Sequence, residues 1–159
     1  MTFKSKRTIT SMVAGVALII SYIIYALSKR APAPEDVAAW ALRIFFFIGV
    51  AMLTNIAIQI LFHITYSVGV AVKEGKRDDK EVERIIASET TEDELDKLIE
   101  LKASHVGYSF AGIGFGAALA GLAFFGASVV VALHIMLGTF FIGNLVEGSI
   151  SIRFYERGV

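Results

Sequence analysis

Four apolar runs, near residues 8–28, 40–66, 105–125 and 128–152, leave this chain few folds to choose from. A helix needs about 18–20 apolar residues to cross the hydrocarbon core of a bilayer, and each run is long enough. No water reaches that depth to bond backbone N–H and C=O groups. Each run must therefore satisfy its own, which a helix does and a lone strand does not. The sequence predicts an all-α integral membrane protein with four transmembrane helices arranged as two tandem hairpins. A hydrophobic content of 55% agrees, since soluble domains sit nearer about 45–50%.

Between the second and third runs lies a polar block, residues 73–104, which holds eighteen of the thirty charged side chains. It divides a single domain into a first transmembrane hairpin (1–72), a cytoplasmic linker (73–104) and a second hairpin (105–159). Two short amphipathic helices are expected in the linker. Asp79 is placed to cap the first, with Val82, Ile85 and Ile86 on one side. Thr91-Glu92-Asp93-Glu94 fits a capping box, in which Thr91 and Glu94 satisfy each other's free backbone donors. Beyond it Leu95, Leu98, Ile99 and Val106 form an apolar stripe, with Asp93 and Lys97 paired four residues apart. The pattern predicts a helix lying on the membrane and running into the third span. The alternative is that residues 79–102 dock a soluble protein partner.

Basic residues orient the chain. With the N-terminus inside, twelve Lys and Arg face the cytoplasm, against Lys29, Arg30 and Arg43 on or near the outside. Both termini and the linker are expected in the cytoplasm. The first apolar run covers nineteen residues, Ile9 to Leu27, longer than the roughly 7–15 of a signal peptide, so it is read as a retained span. Trp40 stands where an interfacial aromatic belongs. Zero net charge argues against a nucleic-acid partner, because that role needs a basic surface. With no cysteine, disulfides, thiolate metal sites and thiol catalysis are excluded.

The third span is glycine-rich. Gly112, Gly116 and Ala120 recur every fourth residue, as do Ala117 and Gly121. Small residues at that spacing let helices approach closely in lipid, and a homodimer through this face is expected. GIGFG is no phosphate loop, because a phosphate cradle needs a strand before it and a helix N-terminus after it.

The second and fourth spans look duplicated. At a shift of 89 residues Gly49 meets Gly138, Asn55 meets Asn144 and Tyr66 meets Tyr155, so both copies read G-x5-N-x10-Y-x2-G-V. Two hairpins entering the membrane the same way make a parallel repeat. On the second span Asn55, Gln59, His63 and Tyr66 fall within about 80° of one helix face. On the fourth, Asn144, Glu147, Ser151 and Tyr155 do the same, with His134 at the edge of that sector. Lipid does not solvate amides and carboxylates, so both stripes are expected to turn inward.

Two readings of the stripes stay open. They are interhelical hydrogen-bond glue, or they line a polar cavity that takes an ion, proton or small solute. Glu147 is the most suspect residue, because a carboxylate in the membrane must be protonated or paired. His63 and His105 are candidate partners, and with Glu147 they make a conceivable two-His, one-carboxylate metal set without a supporting spacing signature. His63 and His134 lie toward opposite ends of their spans, which argues against haem. No cofactor and no catalytic constellation is expected.

Asp93-Glu94-Leu95-Asp96-Lys97-Leu98-Ile99-Glu100-Leu101-Lys102, with the closing Tyr155-Glu156-Arg157-Gly158-Val159, resembles a group of small uncharacterised four-helix membrane proteins of bacteria and archaea. In that group a D-E-R-D-x-L-I-E-x-K-like segment precedes the third helix and the chain stops at Y-x-R-G-V. Leu95 departs from the pattern's Arg. The resemblance covers mainly the second half and implies a fold and a prokaryotic plasma-membrane address, but no activity. The leading functional expectation is a non-enzymatic permease or channel-like element with a polar cavity between the second and fourth spans. A membrane scaffold or regulator acting through the linker, and a membrane redox or metal-binding protein, are the alternatives.

Overall fold

The computed structural model describes residues 3–73 and 94–157. All four expected spans are helices: α1 (Phe3–Ala26), α2 (Val37–Lys73), α3 (Glu94–Phe124) and α4 (Val129–Arg157). Each is long and apolar enough to cross a membrane, and the chain is a multi-pass membrane protein. The helix expected after Asp79 and the Thr91 end of the capping box lie outside the described residues.

Side chains set where the helices begin and end. Asp36 caps α2: its carboxylate accepts from Ala39 N–H at 2.9 Å and its carbonyl from Trp40 N–H at 3.1 Å. Ser128 does the same for α4, accepting from Val131 N–H at 3.3 Å and Ala132 N–H at 3.1 Å. The turn between α3 and α4 needs only the few residues around Gly126, which sits at φ 63°. That left-handed conformation suits a residue without Cβ, and it lets Ala127 N–H reach back to the Gly121 carbonyl at 3.0 Å.

α4 is the hub. It packs against α3 from Ser104 to Gly114, against α1 along much of its length, and against α2 near the loop end. Among the described residues no comparable packing joins α2 to α3. Small residues set the α3–α4 seam. A Cβ built at Gly143 would stand 2.7 Å from the Gly107 carbonyl oxygen, and one at Gly114 would fall inside the Thr139 side chain. With Ala103 and Ala118, both buried, these residues make a row down one side of α3. Gly148 plays the same part toward α1, where Met12 Sδ lies 2.6 Å from the place a Cβ would take.

The row expected to mediate packing faces elsewhere. Gly112 and Gly116 are exposed, and a Cβ added at either would meet nothing within 4 Å. Ala120 and Gly121 are half-buried, and Ala117 is exposed. At about 100° per residue, Gly112 and Gly116 lie roughly half a turn around α3 from Gly107 and Gly114. Small residues thus form two rows, and α4 takes the other one.

The two longest helices, α2 and α3, exceed by most what a hydrocarbon core requires. α2 has 37 residues and α3 has 31, about 55 and 46 Å at 1.5 Å per residue, against a hydrocarbon core of about 30 Å. Measured from the loop end, both overshoot at the end where the chain terminates. The first eleven residues of α3, Glu94 to Ser104, carry Glu94, Asp96, Lys97, Glu100 and Lys102 and continue without a break into the apolar part. An ion pair between Lys4 and Asp96 ties the start of α1 to this extension.

Candidate functional site

Polar side chains gather in two places, one near each end of α4. Toward the terminal end, Glu147 turns into the α3–α4 seam. Ser104 Oγ donates to its Oε1 at 2.6 Å, and its Oε2 lies 2.7 Å from where a Cβ on Gly107 would stand. The missing side chain at Gly107 is what lets a carboxylate lie flat on the neighbouring helix. Among the described residues no Lys, Arg or His pairs with it. By sequence Ser104 belongs to the polar linker, where nothing marks it as a partner. Only the continuity of α3 brings it alongside the fourth span.

Toward the loop end, α1, α2 and α4 meet around His134. Its Nδ1 lies 2.7 Å from the Val130 carbonyl oxygen, which can only accept, so Nδ1 carries a proton. In the neutral ring Nε2 is then an acceptor, and the Tyr22 hydroxyl donates to it at 3.0 Å. Trp40 stands edge-on to the imidazole with centroids 4.8 Å apart, and its indole N–H donates to the Ala33 carbonyl at 3.1 Å. Tyr22 also packs edge-on against Phe47 at 4.8 Å. Tyr22 and Trp40 are among the few deeply buried side chains, 4% and 6% exposed. The expected interfacial aromatic therefore faces inward. Nearby, the Tyr25 hydroxyl is buried without a hydrogen-bond partner among the described residues. A phenol within the first apolar run is the signal in the sequence for this cluster.

Among the described residues the two expected stripes do not come together as one set. Asn55 and Gln59 are exposed on α2 and make no side-chain hydrogen bond among the described residues. Asn144 is also exposed, and its amide nitrogen donates to the Phe140 carbonyl one turn back at 3.0 Å. Ser151 and Tyr155 are half-buried on α4. The backbones of His63 and Tyr66 continue α2, but their side chains lie outside the described residues. The physical reason is the course of α2. It is held by Trp40, Ile44 and Phe47 near the loop end, with Gly49 and Val50 half-buried just below, and from Ala51 to Phe62 only Thr54, Ile58 and Phe62 are even half-buried.

Ser104 is bonded to a carboxylate with no imidazole between them, and His134 is occupied on both nitrogens. Among the described residues no three His, Asp or Glu side chains converge to hold a metal ion, and His105 is exposed. Chemically, the Glu147 site can accept a proton or a hydrogen bond, and the His134 site locks three helices. No family model, curated protein or solved structure matches the chain.

Proposed function

We propose that this chain is a non-enzymatic membrane scaffold or regulator that acts through its polar segment at residues 79–102, with both termini and that segment in the cytoplasm of a prokaryotic cell. One observation carries the reading: α3 is a single helix from Glu94 to Phe124, and its charged first turns present apolar side chains outward. Leu95, Leu98 and Leu101 are 50%, 41% and 70% exposed, whereas Ile99, between them, is 1% exposed. Ile99 explains how that extension holds to the bundle. The three leucines have no such use, and an apolar patch among charged residues suits a soluble protein partner. A partner bound there would pull on a rod that reaches across the membrane. A homodimer through Gly112, Gly116 and Ala120 belongs to the same proposal, since among the described residues a Cβ at Gly112 or Gly116 would meet nothing within 4 Å. So does descent from a duplicated hairpin, supported by the equivalent exposure of Asn55 and Asn144.

The test is chemical cross-linking in native membranes followed by purification. Leu98→Glu should lose a cross-linked partner that Asn55→Ala retains; equal recovery with both variants would end the scaffold reading. A second reading, a small ion, proton or solute permease, draws on Glu147, a carboxylate with one hydroxyl donor and no cation among the described residues. It requires Glu147→Gln to abolish a flux in proteoliposomes that Leu98→Glu leaves intact.

A further inference from the structure

We propose that the outer face of the last two turns of α4 binds the phosphodiester headgroup of an anionic glycerophospholipid. An open groove of about 470 Å³ lies there, lined by Ser149, Ile152, Arg153, Glu156 and Arg157. That volume falls in the range of about 300–1,000 Å³ usual for small-ligand sites. The spacing of three, one, three and one places all five on one helix face.

Depth identifies the ligand's chemistry. α4 begins at Val129, and about 20 residues cross the core, so the helix leaves the hydrocarbon near Gly148. The groove therefore opens at headgroup level. Arg153 and Arg157 lie beyond Ile152 on the side away from the core, where a headgroup phosphate sits. Arg153 and Arg157 stand one turn apart, both exposed, and neither has an ion pair among the described residues. Of the other cations at this end, Lys4 pairs with Asp96 and Lys102 sits 6.0 Å over the Phe154 ring, while Lys6, Arg7 and Lys97 line no part of the groove. Two guanidinium forks are suited to phosphate oxygens. Glu156 also lines the groove and is itself engaged, so the lining sums to one positive charge. One phosphodiester balances that. A polyphosphate would exceed it, and a choline lipid would bring a cation the arginines repel.

The experiment uses the full chain in detergent and counts retained lipid by native mass spectrometry, titrating phosphatidylglycerol and phosphatidylcholine of identical acyl chains. The wild-type chain should bind phosphatidylglycerol in preference. Arg153→Gln with Arg157→Gln should lower that affinity about twenty-five-fold, from about fivefold for each arginine. Lys29→Gln with Arg30→Gln, at the opposite end, should leave it unchanged. Equal retention of the two lipids by the wild-type chain would overturn the proposal whatever the variants do. So would an equal loss in the Lys29/Arg30 variant, which would mark general charge attraction. Inorganic phosphate should not displace the lipid; if it does so at millimolar levels, the groove is a phosphate site and the lipid assignment falls.

Discussion

Gly143→Ala puts one methyl group where α3 and α4 come closest. The new Cβ would stand 2.7 Å from the Gly107 carbonyl oxygen and 3.2 Å from Phe110 Cβ. Neither atom can rotate away, because both are fixed by the backbone of α3. Carbon in ordinary contact needs about 3.5 Å, so the helices must part by several tenths of an ångström along a seam that Gly114 and Thr139 also hold tight. Overpacking of this kind costs about 1–3 kcal/mol. Alanine is also a better helix former than glycine by about 1 kcal/mol, which would mask part of the loss. Gly138→Ala removes that ambiguity. It lies on the same helix with nothing within 4 Å of its Cβ position, so it has the same propensity gain and no clash. The stability difference between the two variants should be about 1–3 kcal/mol in favour of Gly138→Ala. Reversible unfolding in mixed micelles, followed by helical circular dichroism, measures it. If the two variants unfold together within about 0.5 kcal/mol, the close approach of α3 and α4 at Gly107 and Gly143 is refuted.

Ser104→Ala removes the only hydrogen-bond donor to Glu147 among the described residues and should destabilise the chain by about 0.5–2 kcal/mol. The same unfolding assay should show Ser104→Thr close to wild type. His134→Ala breaks the ring contact with Trp40, the chain's one tryptophan, and should shift its emission to the red; Tyr22→Phe keeps that contact and should not. Asn55→Leu and Gln59→Leu should leave stability within about 0.5 kcal/mol, since neither amide bonds to another group among the described residues. A loss well beyond that would mean these side chains pack against something in the working assembly.

The four crossings can be read from the sequence because hydropathy measures what lipid demands. It says nothing of how far a helix continues outside lipid, so the run near 105–125 belongs to a helix that already starts at Glu94. The packing face of α3 is harder to read. Gly112–Gly116–Ala120 and Gly107–Gly114–Ala118 are equally small, and spacing alone cannot say which row α4 prefers. The second follows the slow twist of two long antiparallel helices, so it stays in contact over more turns. Glu147 stands out in the sequence as a carboxylate in need of a partner, but its donor lies in a stretch that reads as linker. The expected pairing of Asn55 with Asn144 assumes that α2 stays beside α4 over its whole length. Nothing in the apolar residues between Ile44 and Phe62 requires that, because lipid solvates them as well as a neighbouring helix does. Tyr22, a phenol within the first apolar run, marks the His134 cluster, but which three helices converge there is a long-range fact that no local pattern carries.

Paired cysteines test the arrangement most directly, in a chain with none of its own. A Cβ at Gly107 stands 3.2 Å from Glu147 Cβ, within a few tenths of the roughly 3.5–4.5 Å a disulfide spans. On mild oxidation in membranes, Gly107→Cys with Glu147→Cys should close an intrachain bridge, while Asn55→Cys with Asn144→Cys should not. If the asparagine pair bridges within one chain as readily as the seam pair, the stripes do face each other, and a polar cavity replaces the segment at 79–102 as the working part of the molecule.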